Sequence, residues 1–395
     1  MSNRSEFGTS QTHPLGRLTL PLLTAVLLLG ALAVWSTRNA RTAGNSAQPA
    51  PNARLAASQS ELRGLLERTH QADVQTSYSA LYEAKAMYGD RAMKSTARVV
   101  RAPRKLSITY LEGDSKGLKS GFNERWFWRQ DNQSSPLEAY AEVALRPDEM
   151  TQQRFERLLK NYTAQALPEQ TLDKRPTDVV ELSPLRPVEG ATGPRKRLWI
   201  DRETGLTLRT QTFNHQGKLV MTTELRQLDT TPQITPATFV PPADMVKAAQ
   251  ARPWMAAEMG AKREEVARAT GLEPPQPKYL PPGFAFDNVG IHRCSEMGVP
   301  LVAAHARYSD GLNALTVFAF QIKSGSSLAG KNSADNNAPA SKNEKSAETC
   351  SFGPATMAMR DVPGGRLVAV ADLPTGVLIR VLDSTEFVRA KAKTP

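Results

Sequence analysis

Residues 197–228 carry the clearest structural signal in this chain, because apolar and polar side chains alternate through three short runs. Turn-forming residues separate these runs, Glu-Thr-Gly at 203–205 and Asn-His-Gln-Gly at 214–217. Strands joined by such short turns pair with their neighbours in antiparallel fashion, and an antiparallel sheet can bury one face while water covers the other. The segment therefore predicts an antiparallel meander with one buried face.

The residues before the meander add helices and further strands. Ser58 and Glu61 form a capping-box pattern, which predicts a helix over 58–70, and a short amphipathic pattern predicts a second helix over 151–159. Strand-like alternation occurs in five further runs, 77–89, 95–101, 105–111, 125–129 and 196–201. A helix packed across a curved sheet gives an open half-barrel. Residues 58–240 thus predict an α+β domain, an antiparallel half-barrel closed by helices.

A proline-rich region follows this domain. Residues 229–282 contain ten prolines, far above the average frequency of about 5%. We interpret 241–278 as a linker with a helix at 255–271. A second domain then occupies 279–390, and its strand-like runs are 302–309, 315–322 and 365–371. Within it, the polar tract 324–348 predicts a flexible loop, because it has too few apolar residues to order itself.

The N-terminal region contains a long uncharged run, residues 18–35. As a helix this run would span about 27 Å, close to the ~30 Å hydrocarbon core of a bilayer. We therefore divide the region into a tail (1–17), a transmembrane anchor or signal segment (18–36) and a tether (37–57). A cleaved signal peptide and a retained anchor both remain open. Either way we expect a periplasmic or otherwise extracytoplasmic body, held at the inner membrane if the helix is retained.

Composition excludes several classes of site. The net charge of +11 is spread along the chain, which favours a solvated basic surface, and export argues against a nucleic-acid partner. Two cysteines cannot form a four-cysteine zinc site, and five scattered histidines do not group as metal ligands. We expect no metal and no cofactor.

Cys294 and Cys350 are the two thiols of the chain. Two cysteines of an exported protein usually pair, because the compartment is oxidising. We therefore predict a Cys294–Cys350 disulfide, with two free buried thiols as the alternative.

One enzyme motif occurs, Gly-Asp-Ser-Lys-Gly at 113–117, with Ser115 in the nucleophile position. A nucleophile elbow requires a helix directly after the serine, so that the hydroxyl is exposed beside an oxyanion hole. The following residues, Leu-Lys-Ser-Gly-Phe at 118–122, have no helical pattern. A hydrolase with Ser115 as nucleophile is kept only as a minor alternative, and we expect that the chain is not an enzyme.

Trp126, Phe127 and Trp128 form a concentrated aromatic run. Strand alternation places Trp126 and Trp128 on one face and Phe127 on the other. Such residues either fill a core or line a cavity for an acyl chain. These three, together with Trp199 on the meander, are our candidates for an apolar-ligand cavity.

Three motifs in the second domain resemble the MucB/RseB family of periplasmic regulators of envelope-stress sigma factors. They are Tyr-Leu-Pro-Pro-Gly-Phe at 279–284, Ala-Arg-Tyr-Ser-Asp-Gly-Leu at 306–312 leading into an apolar strand, and Val-Ala-Val-Ala-Asp-Leu-Pro at 368–374. Residues 161–229 are more loosely similar to the family's N-terminal domain. The chain departs from the family pattern at Ala371-Asp372 and in the tract 324–348, which looks inserted.

The resemblance implies a two-domain binding protein without catalytic activity. Its N-terminal domain would be similar to lipoprotein carriers of the LolA type. Its smaller C-terminal domain would be of the α+β class. That domain would contact the periplasmic part of a membrane-bound anti-sigma factor and shield that factor from proteolysis. Envelope lipid or misplaced outer-membrane components would release the partner.

Asp310-Gly311 is a signal for a two-residue type I′ hairpin between apolar runs. Tyr308, Asp310 and Gly311 are our candidates for the partner interface, although a role in setting the fold also explains them. The alternative function is a lipid or lipoprotein carrier that uses the half-barrel cavity. The oligomeric state stays open.

Overall fold

The computed structural model of the chain describes residues 59–88, 91–113, 116–123, 126–129, 138–141, 151–241, 262–296, 299–321, 348–352 and 355–390. The tail, the apolar segment and the tether that we predicted over 1–57 lie outside the described residues, as does nearly all of the loop 324–348. Within the described part of the chain, no helix is both long and apolar enough to cross a membrane.

The first half of the chain forms a large antiparallel sheet and two helices. The helices are α1 (Gln59–Gln75) and α2 (Gln152–Asn161). The strands are β1 (Tyr78–Tyr88), β2 (Arg91–Ala102), β3 (Lys105–Gly113), β4 (Lys119–Phe122), β5 (Trp126–Arg129), β6 (Glu138–Ala141), β7 (Tyr162–Leu172), β8 (Arg175–Pro184), β9 (Lys196–Asp201), β10 (Thr207–Phe213) and β11 (Leu219–Asp229). Their spatial order is β6-β5-β4-β3-β2-β1-β11-β10-β9-β8-β7.

The predicted meander is confirmed as β9, β10 and β11, which pair in sequence order. Its two turns end on glycines with positive φ, Gly205 (+76°) and Gly217 (+73°), a conformation that costs glycine little. At the centre of the sheet, the strands that come first and last in the sequence pair with each other, and Tyr82 of β1 lies opposite Leu225 of β11. Two meanders thus join edge to edge in one sheet.

The two helices cover part of this sheet. Leu62, Leu65 and Leu66 of α1 and Phe155 and Leu158 of α2 share one buried cluster with Val180, Leu182 and Ile200 of the sheet. Both helices were predicted, α1 being five residues longer at its C-terminal end than the sequence pattern indicated. Thr151 caps α2, since its side-chain oxygen accepts a hydrogen bond from the Arg154 amide.

A second, smaller antiparallel sheet forms the C-terminal part of the chain. Its strands are β12 (Ala285–Glu296), β13 (Val299–Ser309), β14 (Ala314–Gln321), β15 (Glu348–Phe352), β16 (Ala355–Val362) and β17 (Gly365–Ala371), in the spatial order β12-β13-β14-β17-β16-β15. Helices α3 (Arg263–Thr270) and α4 (Thr375–Asp383) pack on one face of this sheet. The α+β class and the second, smaller sheet agree with the prediction.

The C-terminal core extends further back along the chain than we predicted. Val266 of α3 and Leu272 are fully buried in that core, although we assigned 241–278 to a linker. Leu272 forms a β-bridge with Arg389, and Pro277 forms one with Thr385. Proline content marked this segment as irregular, but its apolar side chains are what decide its packing. The described residues from 262 onward are therefore part of the second domain.

Candidate functional site

The two domains exchange apolar side chains through a pair of loops. Val188, in the segment between β8 and β9, is buried in the core of the C-terminal domain. In return Leu312, in the loop between β13 and β14, packs against the cluster formed by α1, α2 and the large sheet. Because each loop contributes to the other domain's core, the domains form a continuous packed junction. We take this junction as the candidate functional site.

The loop between β13 and β14 carries the Tyr-Ser-Asp-Gly signature. We predicted a two-residue hairpin turn at Asp310-Gly311, and the structure has a four-residue loop, since Ser309 pairs with Ala314. Asp310 accounts for the difference, because its Oδ1 accepts hydrogen bonds from the amides of Leu312 (2.9 Å) and Asn313 (2.7 Å). A side chain that accepts hydrogen bonds from the amides two and three residues later stabilises a longer turn.

Gly311 is needed in this loop for two reasons. Its φ is +108°, and a Cβ at this position would lie 2.3 Å from the Leu158 amide nitrogen of α2. Only glycine lets the loop approach the helix of the other domain so closely. The signature thus builds the junction.

Burial limits what the predicted partner-interface residues can contact. Asp310 is 7% exposed, and Tyr308 is 4% exposed. The Tyr308 hydroxyl donates a hydrogen bond to the Pro275 carbonyl at 2.9 Å, and its ring meets Phe286 edge-on. These contacts assign both residues to the packing of the chain itself, the role that the sequence analysis left open beside partner contact.

Polar side chains at the start of β7 hold this loop from the first domain. The Tyr162 hydroxyl donates to Asp310 Oδ2 at 2.6 Å and accepts from Asn313 Nδ2 at 2.9 Å. Asn161 Nδ2 donates to the carbonyls of Gly283 and Asp310, both at 2.9 Å. Burial raises the pKa of Tyr162 well above 10, and the negative charge of Asp310 raises it further. Tyr162 is thus a protonated donor across the junction.

A buried ion pair forms a second cross-domain contact. Arg154 of α2 places Nε 3.1 Å from both carboxylate oxygens of Asp287 on β12, and the two side chains are 5% and 4% exposed. Arg157 and Arg307 approach the same carboxylate at 3.6 Å. Loss of one member of such a pair is costly, because the other charge stays buried.

A third contact joins the meander to the end of β17. The amide and Nδ1 of His215 both lie 2.9 Å from Asp372 Oδ1. Arg195, just before β9, places Nη1 3.7 Å from Asp372 Oδ2. Asp372 is one of the positions at which the sequence departs from the family pattern. Its carboxylate is contacted by both His215 and Arg195 of the first domain.

The junction encloses a small pocket of about 20 Å³, which is room for a water molecule. Its lining comes from both domains: Asn161, Tyr162, Pro184, Arg186, Val188, Arg195, Pro282, Gly283, Phe284, Asp310, Asn313 and Leu373. Gly283 and Phe284 belong to the Tyr-Leu-Pro-Pro-Gly-Phe motif and Asp310 to the Tyr-Ser-Asp-Gly motif, so two of the sequence motifs meet at this pocket. The contributions of Tyr162, Arg154, Arg195 and His215 were missed, because nothing in their sequence neighbourhood marks them.

The aromatic cavity candidates lie elsewhere, in the large sheet. Trp126, Phe127 and Trp128 are on strand β5, as predicted, and the side chains of the first two lie outside the described residues. Trp128 is 4% exposed and covers Gly121 of β4, where a Cβ would lie 2.5 Å from the indole. Its contact with the neighbouring strand is that of a core residue.

Trp199 is also buried, at 3% exposure. Its indole N–H donates to Gln170 Oε1 at 2.9 Å, and the Arg209 guanidinium lies over its ring at 5.3 Å. Alternation along β9 places Trp199 on the opposite face from Ile200, which packs with α1 and α2. Its role as a cavity wall stays a prediction.

The hydrolase alternative and a metal site can both be compared with the structure. Ser115 lies outside the described residues, but β4 follows it as an antiparallel partner of β3, and a nucleophile elbow would need a helix there. Within the described ranges no group of three or more His, Cys, Asp or Glu side chains is arranged to hold a metal ion.

The predicted Cys294–Cys350 disulfide does not fit the strand order. Cys294 is on β12 and Cys350 on β15, the two opposite edges of the six-stranded sheet. Five strand spacings of about 4.8 Å place these edges roughly 24 Å apart. A disulfide requires Cα atoms about 4.4–6.8 Å apart. The order of strands in a sheet could not be predicted from the sequence, so the disulfide was expected only because an exported protein meets an oxidising compartment.

Comparison with known proteins relates the first domain to a sequence family and the fold of the chain to solved structures. The sequence model of the MucB/RseB N-terminal domain matches residues 61–243. A crystal structure of MucB in complex with MucA(peri) shares 17% identity and a TM-score of 0.51, covering 83% of this chain and 99% of that one. The Pseudomonas aeruginosa MucA/MucB complex shares 16% identity and a TM-score of 0.53, and the match covers 83% of this chain and 99% of that one. No curated protein matches the sequence significantly. Residues 61–243 of this chain therefore match the MucB/RseB N-terminal domain, which confirms the resemblance predicted from the sequence.

Proposed function

We propose that this chain binds the periplasmic part of a membrane-bound anti-sigma factor and thereby regulates an envelope-stress sigma factor, without catalysing a reaction. The observation that carries the proposal is the family match at residues 61–243. The fold shared over 83% of the chain with MucB, which was solved bound to MucA(peri), supports it for both domains. The body of the protein would act outside the cytoplasm, with residues 18–35 as its inner-membrane anchor.

The junction explains how one binding event could involve both domains. The Tyr162–Asp310 hydrogen bond, the Arg154–Asp287 ion pair and the exchanged Val188 and Leu312 side chains fix the domains relative to each other. A partner that contacts both domains would therefore meet a preformed surface, which reduces the entropic cost of binding. In the bound state the partner would be shielded from proteolysis.

Release of the partner by envelope lipid is the second part of the proposal. Helices α1 and α2 cover the large sheet through apolar side chains such as Leu62, Leu66 and Phe155. An acyl chain would instead enter the cluster on the opposite face of the sheet, which contains Trp199, with Trp126, Phe127 and Trp128 as the other candidate aromatic contacts. Because coupling between two binding sites is reciprocal, lipid and partner would weaken each other's affinity by the same factor.

Affinity purification of the full-length chain from its own membranes, after brief cross-linking, tests the proposal. We expect a single-span membrane protein with a periplasmic segment among the recovered proteins. Gly311→Ala, which disturbs the junction, should recover less of it, while Gly376→Ala should recover the normal amount. Recovery of acylated lipid without any protein partner would favour the carrier alternative. Recovery of neither would refute both functions.

A further inference from the structure

The pocket at the domain junction reaches the protein surface. Two of its lining residues, Arg186 and Pro282, are exposed, whereas Arg195, Phe284 and Asp310 are buried. Its contents are limited to a small group, because its volume is only about 20 Å³. A space of this size admits only the tip of an entering side chain, such as one oxygen atom of a polar group.

Arg195 lines this pocket and has a buried donor nitrogen that forms no hydrogen bond within the part of the chain that the structure describes. The residue is 4% exposed, and its Nη1 has no hydrogen-bond partner among the described residues. The nearest acid oxygen, Asp372 Oδ2, is 3.7 Å away, beyond hydrogen-bond distance. The other oxygen of Asp372 already accepts from the amide of His215 and contacts its ring. A buried guanidinium nitrogen without an acceptor is unfavourable, so a ligand that supplies one gains affinity.

Asp310, the acid that lines the pocket, already has hydrogen-bond partners on both carboxylate oxygens. Its Oδ1 accepts from the amides of Leu312 and Asn313, and its Oδ2 accepts from the Tyr162 hydroxyl. The cations Arg186 and Arg195 line the pocket beside this single carboxylate. The group at the pocket that lacks a hydrogen-bond partner in the described ranges is therefore a cationic donor, Arg195 Nη1.

We propose that this pocket binds a carboxylate of the protein partner, an Asp or Glu side chain of the anti-sigma segment that reaches Arg195 between the two domains. The inference rests on the proposed function and assigns one contact point to it. Arginine binds carboxylates strongly because its hydrogen bonds to them are charge-assisted. A carboxylate is favoured over the phosphate of a lipid headgroup, because phosphate is larger and its second negative charge would lie close to Asp310 and Asp372.

Variants of two neighbouring arginines test the assignment. Arg195→Gln removes the donor at the pocket. Arg197→Gln removes the same charge two residues along, where Arg197 pairs with Glu181 outside the pocket lining. The probe is the periplasmic segment recovered in the purification above, labelled for fluorescence anisotropy. We expect Arg195→Gln to weaken its binding by about tenfold or more, and Arg197→Gln to leave it within about twofold.

A double-mutant cycle then identifies the carboxylate. Each Asp and Glu of the segment is replaced singly by its amide, and one replacement should weaken binding to the unchanged protein but not to Arg195→Gln. If Arg195→Gln does not fold, Arg195→Lys and the amide series on the segment still supply the comparison. The proposal is overturned if no acidic position couples to Arg195, or if inorganic phosphate displaces the segment better than acetate does at equal ionic strength. A segment that does not bind the unchanged chain would instead refute the proposed function.

Discussion

The hydroxyl of Tyr162 lies 2.6 Å from a carboxylate oxygen of Asp310, and the two residues are 148 positions apart in different domains. Asp310 shapes its own loop through Oδ1 and receives Tyr162 at Oδ2. One carboxylate therefore sets both the conformation of a turn and the position of a domain.

Tyr162→Phe should destabilise the junction while leaving each domain's core filled. Loss of the hydroxyl leaves Asp310 Oδ2 with Asn313 as its remaining donor, at 3.1 Å, which should cost about 1–3 kcal/mol. Urea unfolding measures this cost. Tyr308→Phe is the matched control, because its hydroxyl bonds within the C-terminal domain. Tyr162→Phe should increase the scattering radius of the native protein, because the junction loosens. Tyr308→Phe should lower stability without changing that radius. An equal change in radius for both variants would contradict the assignment.

Gly311→Ala should open the junction. The new methyl group would collide with the Leu158 backbone of α2, and the residue would be strained at its φ of +108°. We expect a loss of about 2–4 kcal/mol in unfolding free energy, in the upper range for single substitutions. Gly376→Ala, in helix α4 with nothing within 4 Å, should be neutral or stabilising by up to about 1 kcal/mol. Similar melting temperatures for Gly311→Ala and the unchanged protein would show that the loop can move away at little cost.

His305 should make the protein sensitive to acid. Burial lowers its pKa from 6.5 to about 3, with the nearby charges of His292 and Arg307 acting in the same direction. Below pH 6.5 the unfolded chain takes up a proton at this residue while the folded chain does not, so stability falls as the pH falls towards 3.

His305→Leu tests this dependence. Neither ring nitrogen of His305 has a hydrogen-bond partner within the described part of the chain, so the substitution should be tolerated at neutral pH. Between pH 7.5 and 5 the variant should gain about 2 kcal/mol relative to the unchanged protein. His70→Leu, which removes a half-buried imidazole stacked on Phe155, is the control. Parallel stability curves for His305→Leu and the unchanged protein would contradict the predicted titration.

Cys294 and Cys350 should both react as free thiols within one chain. The strands that carry them are the opposite edges of the small sheet. Thiol titration of the protein unfolded without reductant should count two thiols per chain. Peptide mapping that recovers Cys294 linked to Cys350 would show that the strand order described here is wrong.

Local features of the fold could be predicted from the sequence, whereas the long-range ones could not. The turns at 203–205 and 214–217 specify β9, β10 and β11, because short turns and alternation act between neighbours in sequence. The pairing of Tyr82 with Leu225, which joins the two halves of the large sheet, depends on contacts between residues more than 140 positions apart. Strands β7 and β8 and helix α4 lacked a regular pattern that we recognised.

The candidate site, like the fold, could be predicted from the sequence only in part. The Tyr-Ser-Asp-Gly and Leu-Pro-Pro-Gly-Phe motifs identified two of its loops, since their glycines and prolines have conformational requirements that a sequence displays. Tyr162, Arg154 and His215 are ordinary residues of a helix end, a helix and a turn. They become part of the site only because the second domain lies against them.

The central claim is that the intact two-domain chain binds the periplasmic segment of an anti-sigma factor. Titration calorimetry of the purified full-length chain with the segment recovered from its own membranes tests this claim most directly. We expect binding at roughly micromolar concentration or tighter, retained in Gly376→Ala and weakened about tenfold or more in Gly311→Ala. Absence of binding to the unchanged protein at that concentration, or equal affinity for both variants, would contradict it.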